Sequence, residues 1–161
     1  MKYDISPQAR QHVSNHFGKQ EKAGSYFYPE VFSNVDELLQ LIENRDPLDI
    51  VLQSSGSEAH IYDLTDIGEC GGLGLGFKAE YPNRFVFTES RNDFIVSYAK
   101  VDELPATSMV TVICSRVADA FQIITVFPGG YAPAFPHDGM APEDLSRAMA
   151  FWDKHILLKK A

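Results

Sequence analysis

The spacing of apolar residues changes twice along this chain, and that change constrains the fold more than any other feature. Near both ends apolar residues recur every three or four positions, as on one face of an α-helix, whereas between residues 48 and 127 they alternate with polar ones, as in half-buried strands. Short connections join the strand-like segments and favour antiparallel pairing, because a parallel crossover needs about a dozen residues. The pattern predicts an α+β fold with two N-terminal helices, a meandering antiparallel sheet of roughly five to six strands, and a C-terminal helix.

Local residues set the ends of these elements. Ser6 and Pro7 are typical of a helix start, and Gly18 is typical of the position just past a helix end. Ser33 or Asn34 opens the second predicted helix, and the third begins near Pro142. The predicted strands are Leu48–Gln53, Glu58–Asp63, Arg84–Thr88, Phe94–Tyr98, Val110–Cys114 and Phe121–Phe127. The predicted hairpin loops are Glu89–Asp93 and Ser115–Ala120.

Size and composition are those of one globular domain. A chain of 161 residues falls within the usual range of a single domain, so we expect one domain over residues 1–161. No apolar run approaches the roughly 20 residues of a membrane span, and the N-terminus lacks the apolar segment of a signal peptide. Cys70 and Cys114 form no Cys-x-x-Cys pattern, which indicates free thiols. These features favour a cytoplasmic protein with no membrane partner.

The charge of the chain argues against a nucleic-acid partner and for a basic protein partner. The net charge is −8, and the predicted sheet region between Leu48 and Pro128 holds many more acidic than basic residues. A nucleic-acid binder normally carries a basic stripe, because neutralising phosphates supplies most of its non-specific affinity. An acidic surface instead steers the protein towards basic partners.

Common ligand-binding motifs do not occur in the sequence. The glycine-rich segment 70–78 lacks the Gly-Lys-Ser/Thr ending of a phosphate-binding loop, so we interpret it as a turn or bulge. His12 and His16 are spaced to share a metal on one helix face, but no third ligand can be identified. We therefore expect neither a metal nor a cofactor.

Three residues on the predicted strands and helices are candidates for chemistry, and each has a structural alternative. Alternation places His60 on one strand face with Glu58 and Tyr62, a set that suits either acid–base work or a solvated face. Thr125 lies at every second position with Phe121, Ile123 and Phe127, which predicts one mostly apolar face. Its hydroxyl therefore either bonds within the sheet or lies at a site cut into it. His155 follows Trp152 at helical spacing, and packing of a helix face beside the sheet is the simpler explanation for it.

The C-terminal part of the chain resembles a known group of proteins. The resemblance rests on Thr107–Ile113, Phe121–Gly129 and Phe151–Leu157. These segments are similar to a pattern in small uncharacterised bacterial proteins. The strand that ends in Thr-Val-Phe-Pro is also similar to the last strand of the barnase–EndoU–colicin–RelE superfamily of ribonucleases. The match covers about a third of the chain, and the chain has Val126 where the family usually has alanine.

The resemblance implies helices packed on a curved antiparallel sheet and cleavage of RNA without a metal. In that superfamily a histidine or another base activates the ribose 2′-hydroxyl, a basic group steadies the phosphorane, and a sheet hydroxyl positions the phosphate. The implied catalytic residues are Thr125, His155 and Ser108, with His60 added by position only. The implied substrate-binding residues are Thr107, Arg84 and Lys78.

Three functions from different classes follow from the sequence. The leading hypothesis is a metal-independent, toxin-like ribonuclease with RNA as its partner. The second is a non-enzymatic regulatory or immunity-type module that binds a basic protein. The third is a small-molecule binding domain with a pocket beneath the loop Pro128–Pro142.

Overall fold

The computed structural model describes residues 1–18, 25–53, 55–73, 85–99, 104–155 and 157–160, which fall into two compact units. The first unit holds the described residues up to 73 together with 106–131, and the second holds 85–99, 104–105 and those from 132 onwards. The helices are α1 Pro7–Val13, α2 Val35–Ile42 and α3 Pro142–His155. The strands are β1 Tyr3–Asp4, β2 Tyr26–Phe27, β3 Asp49–Leu52, β4 Glu58–Asp63, β5 Gly71–Gly72, β6 Phe85–Arg91, β7 Phe94–Ala99, β8 Ala106–Thr107, β9 Met109–Val117, β10 Ala120–Pro128 and β11 Leu157–Lys160.

The first unit is built on a five-stranded sheet with the strand order β1-β10-β9-β4-β3. Every pairing in it is antiparallel except that of β1 with β10, which is parallel. The predicted α+β class and the antiparallel sheet are therefore confirmed. The prediction that one meandering sheet contains all the strands is wrong. β6 and β7 pair with each other, and β7 also pairs with β11, in a separate sheet of the second unit. Alternation identifies a strand but carries no information on which strand lies beside it.

The two N-terminal helices begin where their capping residues predict. The Ser6 hydroxyl accepts a hydrogen bond from the Ala9 amide, which caps α1. The Asn34 side chain accepts one from the Glu37 amide, so Asn34 is the N-cap of α2, and the Glu37 carboxylate accepts one from the amide of Ser33, the residue before the cap. The first helix is shorter than predicted, since α1 ends at Val13 and a 3₁₀ turn covers Ser14–His16.

The core of the first unit lies between these helices and one face of the five-stranded sheet. Leu38 and Ile42 of α2 are fully buried in one cluster with Tyr62, Val112 and Val126. The amphipathic pattern of α2 explains this burial, because its apolar residues fall three and four positions apart and therefore on one face.

The turn between β9 and β10 is tighter than predicted. Both strands extend through the predicted loop Ser115–Ala120, so that only Ala118 and Asp119 connect them. Ala118 adopts a φ of 55°, in the left-handed region that residues with a side chain rarely occupy. The long paired strands on either side hold this turn in place.

The start of the glycine-rich segment is a strand, so the prediction of a turn or bulge is wrong at Gly71 and Gly72. Gly71 and Gly72 form β5, which pairs with β2 and β8 in a small three-stranded sheet. A Cβ atom on Gly71 would lie 2.6 Å from the Tyr26 carbonyl oxygen and 2.8 Å from the Pro128 Cβ. The glycine is therefore needed for close packing of the backbone. Residues 74–78 of the segment lie outside the described residues.

The second unit contains the sheet β11-β7-β6 and the helix α3. Trp152 of α3 packs against Phe135 and donates a hydrogen bond to the Pro133 carbonyl at 3.0 Å. The chain forms one more strand after α3, so the prediction that a helix ends the fold is wrong. In the part of the chain that the structure describes, no helix is both long enough and apolar enough to cross a membrane.

Candidate functional site

The sequence-predicted site residues are divided between the two units and the residues outside the described part. His60, Thr107, Ser108 and Thr125 belong to the first unit, and His155 ends α3 in the second. Lys78 and Arg84 lie outside the described residues, so their proposed contact with phosphate stays a prediction. The pairing of His155 with Thr125 in one site also stays a prediction.

His60 belongs to a group of buried polar side chains on the helix-covered face of the sheet, which we call the Tyr–His cluster: Tyr3, His60, Tyr62 and Cys114. The Tyr3 hydroxyl lies 2.7 Å from Nδ1 of His60 and shares a short hydrogen bond with the Tyr62 hydroxyl. The Cys114 sulfur lies 3.7 Å from Nε2 of the same imidazole. His60, Tyr62 and Cys114 are fully buried.

A single carboxylate connects the Tyr–His cluster to the surface. Glu58 Oε1 lies 3.8 Å from His60 Nε2, and its Oε2 lies 3.8 Å from the guanidinium of Arg116. The Arg116 side chain is largely exposed, and its guanidinium lies over the Phe121 ring. A line of polar groups therefore runs from the exposed Arg116 of β9 through the half-buried Glu58 of β4 to the buried His60.

Burial keeps the groups of the Tyr–His cluster uncharged. It lowers the pKa of His60, an effect that the Glu58 carboxylate opposes, and it raises the pKa of Tyr3. Burial and the negative charge of Glu58 raise the pKa of the Cys114 thiol to about 12. A protonated, buried thiol is a poor nucleophile.

The burial of His60 decides between the two interpretations of its strand face. The interpretation that this strand face is solvated is wrong at His60, because the imidazole is 0% exposed. The buried imidazole offers no surface to a substrate in this conformation, and its catalytic role stays a prediction. The hydrogen bonds of the Tyr–His cluster join β1 to β4.

Thr125 lies on the sheet face opposite to His60. The register of β10 on β9 shifts between Ile123 and Thr125, and this β-bulge interrupts the alternation. Thr125 therefore pairs with Ile113, which in turn pairs with Ala59, one residue before His60. The prediction that Thr125 shares a face with Ile123 is wrong, because a bulge moves the following residue to the other face.

Thr107 and Ser108 lie together where the chain enters β9. The Thr107 hydroxyl accepts a hydrogen bond from the Met109 amide, and the Thr107 carbonyl accepts one from the Cys70 amide. The Ser108 hydroxyl lies 3.2 Å from the Thr65 hydroxyl, and both are near the surface. These contacts order the junction of the two sheets in the first unit.

The exposed edge of the five-stranded sheet is the feature of the first unit that most resembles a recognition site. β3 is the last strand in the sheet order. Leu48 is 66% exposed, Ile50 42% and Leu52 74%. We call these three residues the edge stripe. Ile50 and Leu52 share one face of β3, because they are two positions apart, and Leu48 lies directly before the strand.

The sequence around the edge stripe is acidic. Between Arg45 and Lys78 the chain holds six acidic residues and neither Lys nor Arg. Those acidic residues are Asp46, Asp49, Glu58, Asp63, Asp66 and Glu69. Asp66 is paired with Arg45, whereas Asp46 and Asp49 are exposed on either side of Leu48. The edge therefore combines apolar side chains with negative charge.

The spacing Leu48–Ile50–Leu52 is visible in the sequence, but a half-buried strand and an exposed edge strand share that pattern. The one sequence feature that distinguishes β3 from the half-buried strands is the absence of Lys and Arg over residues 46–77.

The comparisons with known proteins gave no match. The chain matches no protein-family model, and the searches of the curated proteins and of the solved structures found no match either.

Proposed function

We propose that this protein is a protein-binding module that takes up an extended segment of a basic partner as an added strand beside β3. The observation that carries the proposal is the exposure of the edge stripe on the last strand of the sheet. Natural proteins protect edge strands with lysine, proline, bulges or a covering element, because an exposed apolar edge pairs with other chains. Within β3, residues 49–52 contain neither lysine nor proline.

The chemistry of the edge indicates the kind of segment that would bind. Strand addition supplies main-chain hydrogen bonds, and the side chains of the added strand provide specificity. Apolar residues at alternate positions would contact Ile50 and Leu52, and lysine or arginine would lie near Asp46 and Asp49. A second copy of this chain is a poorer partner, because each copy carries a net charge of −8.

A designed peptide provides the test. The probe is a synthetic peptide in which valine and lysine alternate, and the control peptide has glutamate in place of lysine. We expect NMR shift changes centred on β3 with the lysine peptide and none with the glutamate peptide. N-methylation of alternate amides should abolish binding if the peptide pairs through its backbone, because each methyl group removes a donor.

Two matched variants locate the binding surface. Ile50→Lys places a positive charge in the edge stripe and should abolish binding. Val117→Lys introduces the same change at the end of β9, where the side chain is 58% exposed, and should leave binding unchanged. Binding that survives both Ile50→Lys and N-methylation would overturn the proposal. Dimerisation that Ile50→Lys abolishes would make a second copy the occupant.

Metal-independent RNA cleavage is a second candidate function, and the position of Thr125 favours it. The β-bulge brings Thr125 to the sheet face opposite to the one that packs on α2, where Thr125 is half-buried beside the buried Ile113. In this proposal Thr125 positions a phosphate, His155 acts as the base, and His60 takes no direct part.

Total RNA incubated with the protein in the presence of EDTA tests this second candidate. Cleavage that disappears in Thr125→Ala and in His155→Ala, but persists in His60→Asn, would support it. RNA that stays intact over a wide range of protein concentration and pH would exclude it.

A further inference from the structure

The second unit contains a cavity of about 910 Å³, a volume within the usual range of small-molecule sites. We call it the α3 cavity. It lies between the turn that joins β6 to β7, the loop at residues 136–138 and the helix α3. Its wall therefore comes from three separate parts of the chain.

The wall of the α3 cavity combines an apolar surface with carboxylates. Phe94, Leu145 and Met149 supply the apolar part, and all three are partly buried. Asp93, Asp138 and Asp153 supply one carboxylate from each of the three segments. None of the described lining residues is Lys or Arg. The cavity therefore presents apolar surface and negative charge together.

Hydrogen bonds and ring contacts hold the three segments in place. The Asn92 side chain donates to the Pro136 carbonyl at 2.9 Å, which ties the turn to the loop. The Gly139 amide donates to Nδ1 of His137 at 3.1 Å, which orients that imidazole. Phe94 belongs to the same apolar cluster as Phe135 and Trp152, so α3 packs directly behind the cavity wall. The cavity is thus formed before any ligand binds.

We propose that the α3 cavity binds a small organic cation, an amine or ammonium group on an aromatic or aliphatic body. The carboxylates attract the positive charge, and burial of the ligand body against Phe94, Leu145 and Met149 supplies the apolar contribution. A metal ion fits less well, since the described residues contain no group of three His, Cys, Asp or Glu side chains placed to hold one. The carboxylates of Asp93 and Asp138 beside an apolar wall suit an extended ligand.

The single tryptophan of the chain provides the readout. Trp152 lies in the cluster behind the cavity wall, and no other tryptophan contributes to the fluorescence. The probe is phenethylamine, and the control ligand is 3-phenylpropionate, which has the same phenethyl group but a carboxylate in place of the ammonium. We expect a saturable fluorescence change with the amine and at least a tenfold weaker response to the carboxylate.

Variants of the cavity distinguish charge from shape. Asp93→Asn combined with Asp138→Asn should weaken phenethylamine binding about fivefold or more, while Glu143→Gln, on α3 but outside the cavity, should have no effect. Ala150→Phe should block the cavity and lower the affinity without adding a charge. Equal binding of the amine and the carboxylate, or no saturable binding of phenethylamine at millimolar concentration, would overturn the proposal. Binding that Ala150→Phe leaves unchanged would place the ligand elsewhere and overturn it too.

Discussion

The two edges of the five-stranded sheet are built in opposite ways. At the β1 edge the strand is short, and its inward side chain, Tyr3, is buried and bonded to His60 and Tyr62. At the β3 edge the strand is longer, and Ile50 and Leu52 remain largely in solvent. One edge is thus fixed by buried hydrogen bonds, whereas the other leaves its apolar side chains exposed, as the proposed strand addition requires.

The comparison separates the residues of this sheet that maintain the fold from those that the proposed partner would contact. A buried polar network is costly to break, because each member left without its partner loses hydration as well as a hydrogen bond. An exposed apolar side chain contributes little to folding, since it stays in water in both the folded and unfolded states. Substitutions at the β1 edge should therefore change stability, and substitutions at the β3 edge should change binding.

The largest expected contrast is between Tyr62→Ala and Leu52→Ala. Tyr62 is fully buried in the core, so its truncation should lower the free energy of unfolding by about 3–5 kcal/mol. Leu52 is 74% exposed, and its truncation should change that free energy by less than about 0.5 kcal/mol. Urea denaturation followed by circular dichroism measures both. Similar losses in the two variants would remove the distinction between the edges.

Removal of one hydroxyl should have the next largest effect. Tyr3→Phe keeps the ring but deletes the hydrogen bonds to His60 and Tyr62, and we expect a loss of about 1–3 kcal/mol. Tyr26→Phe, at a half-buried position of β2, serves as the control and should cost less. The same denaturation experiment compares them. A Tyr3→Phe variant as stable as the wild type would show that the buried hydrogen bonds do not fix the β1 edge.

The stability of the first unit should also depend on pH through its histidines. Burial lowers the pKa of His60 and of His16, so both imidazoles bind a proton more readily in the unfolded chain. The stability that the two neutral imidazoles contribute is therefore fully present above about pH 6.5, the pKa of histidine in the unfolded chain. This stability is lost as the pH falls below that value. Thermal unfolding between about pH 7.5 and 5.5 should show stability decreasing towards acid. The double variant His60→Asn and His16→Asn should show a smaller decrease, and an unchanged slope would contradict the assignment.

The sequence allowed the elements to be predicted far better than their arrangement. The bounds Glu58–Asp63 and the start of α2 at Ser33 or Asn34 could be predicted from local alternation and local capping, and the structure has Asn34 as the cap. The bulge before Thr125 and the separate sheet of β6 and β7 depend on pairing between distant segments, which a local pattern does not encode. The common face of Glu58, His60 and Tyr62 was predicted, but its burial depends on Tyr3, more than fifty positions away.

The substitution with the smallest expected effect separates the contribution of negative charge at the β3 edge from that of its apolar surface. Asp49→Asn removes one negative charge and keeps an oxygen that can accept the hydrogen bond from the Ile50 amide. We expect the free energy of unfolding to change by less than about 0.5 kcal/mol and the affinity for the lysine peptide to fall about two- to fivefold. Asp119→Asn makes the same change in the β9–β10 turn and should leave that affinity unchanged. If both variants bind the lysine peptide equally well, the apolar side chains alone select the partner. The acidic residues around the edge would then change only the rate of association, and that rate would fall when salt is added.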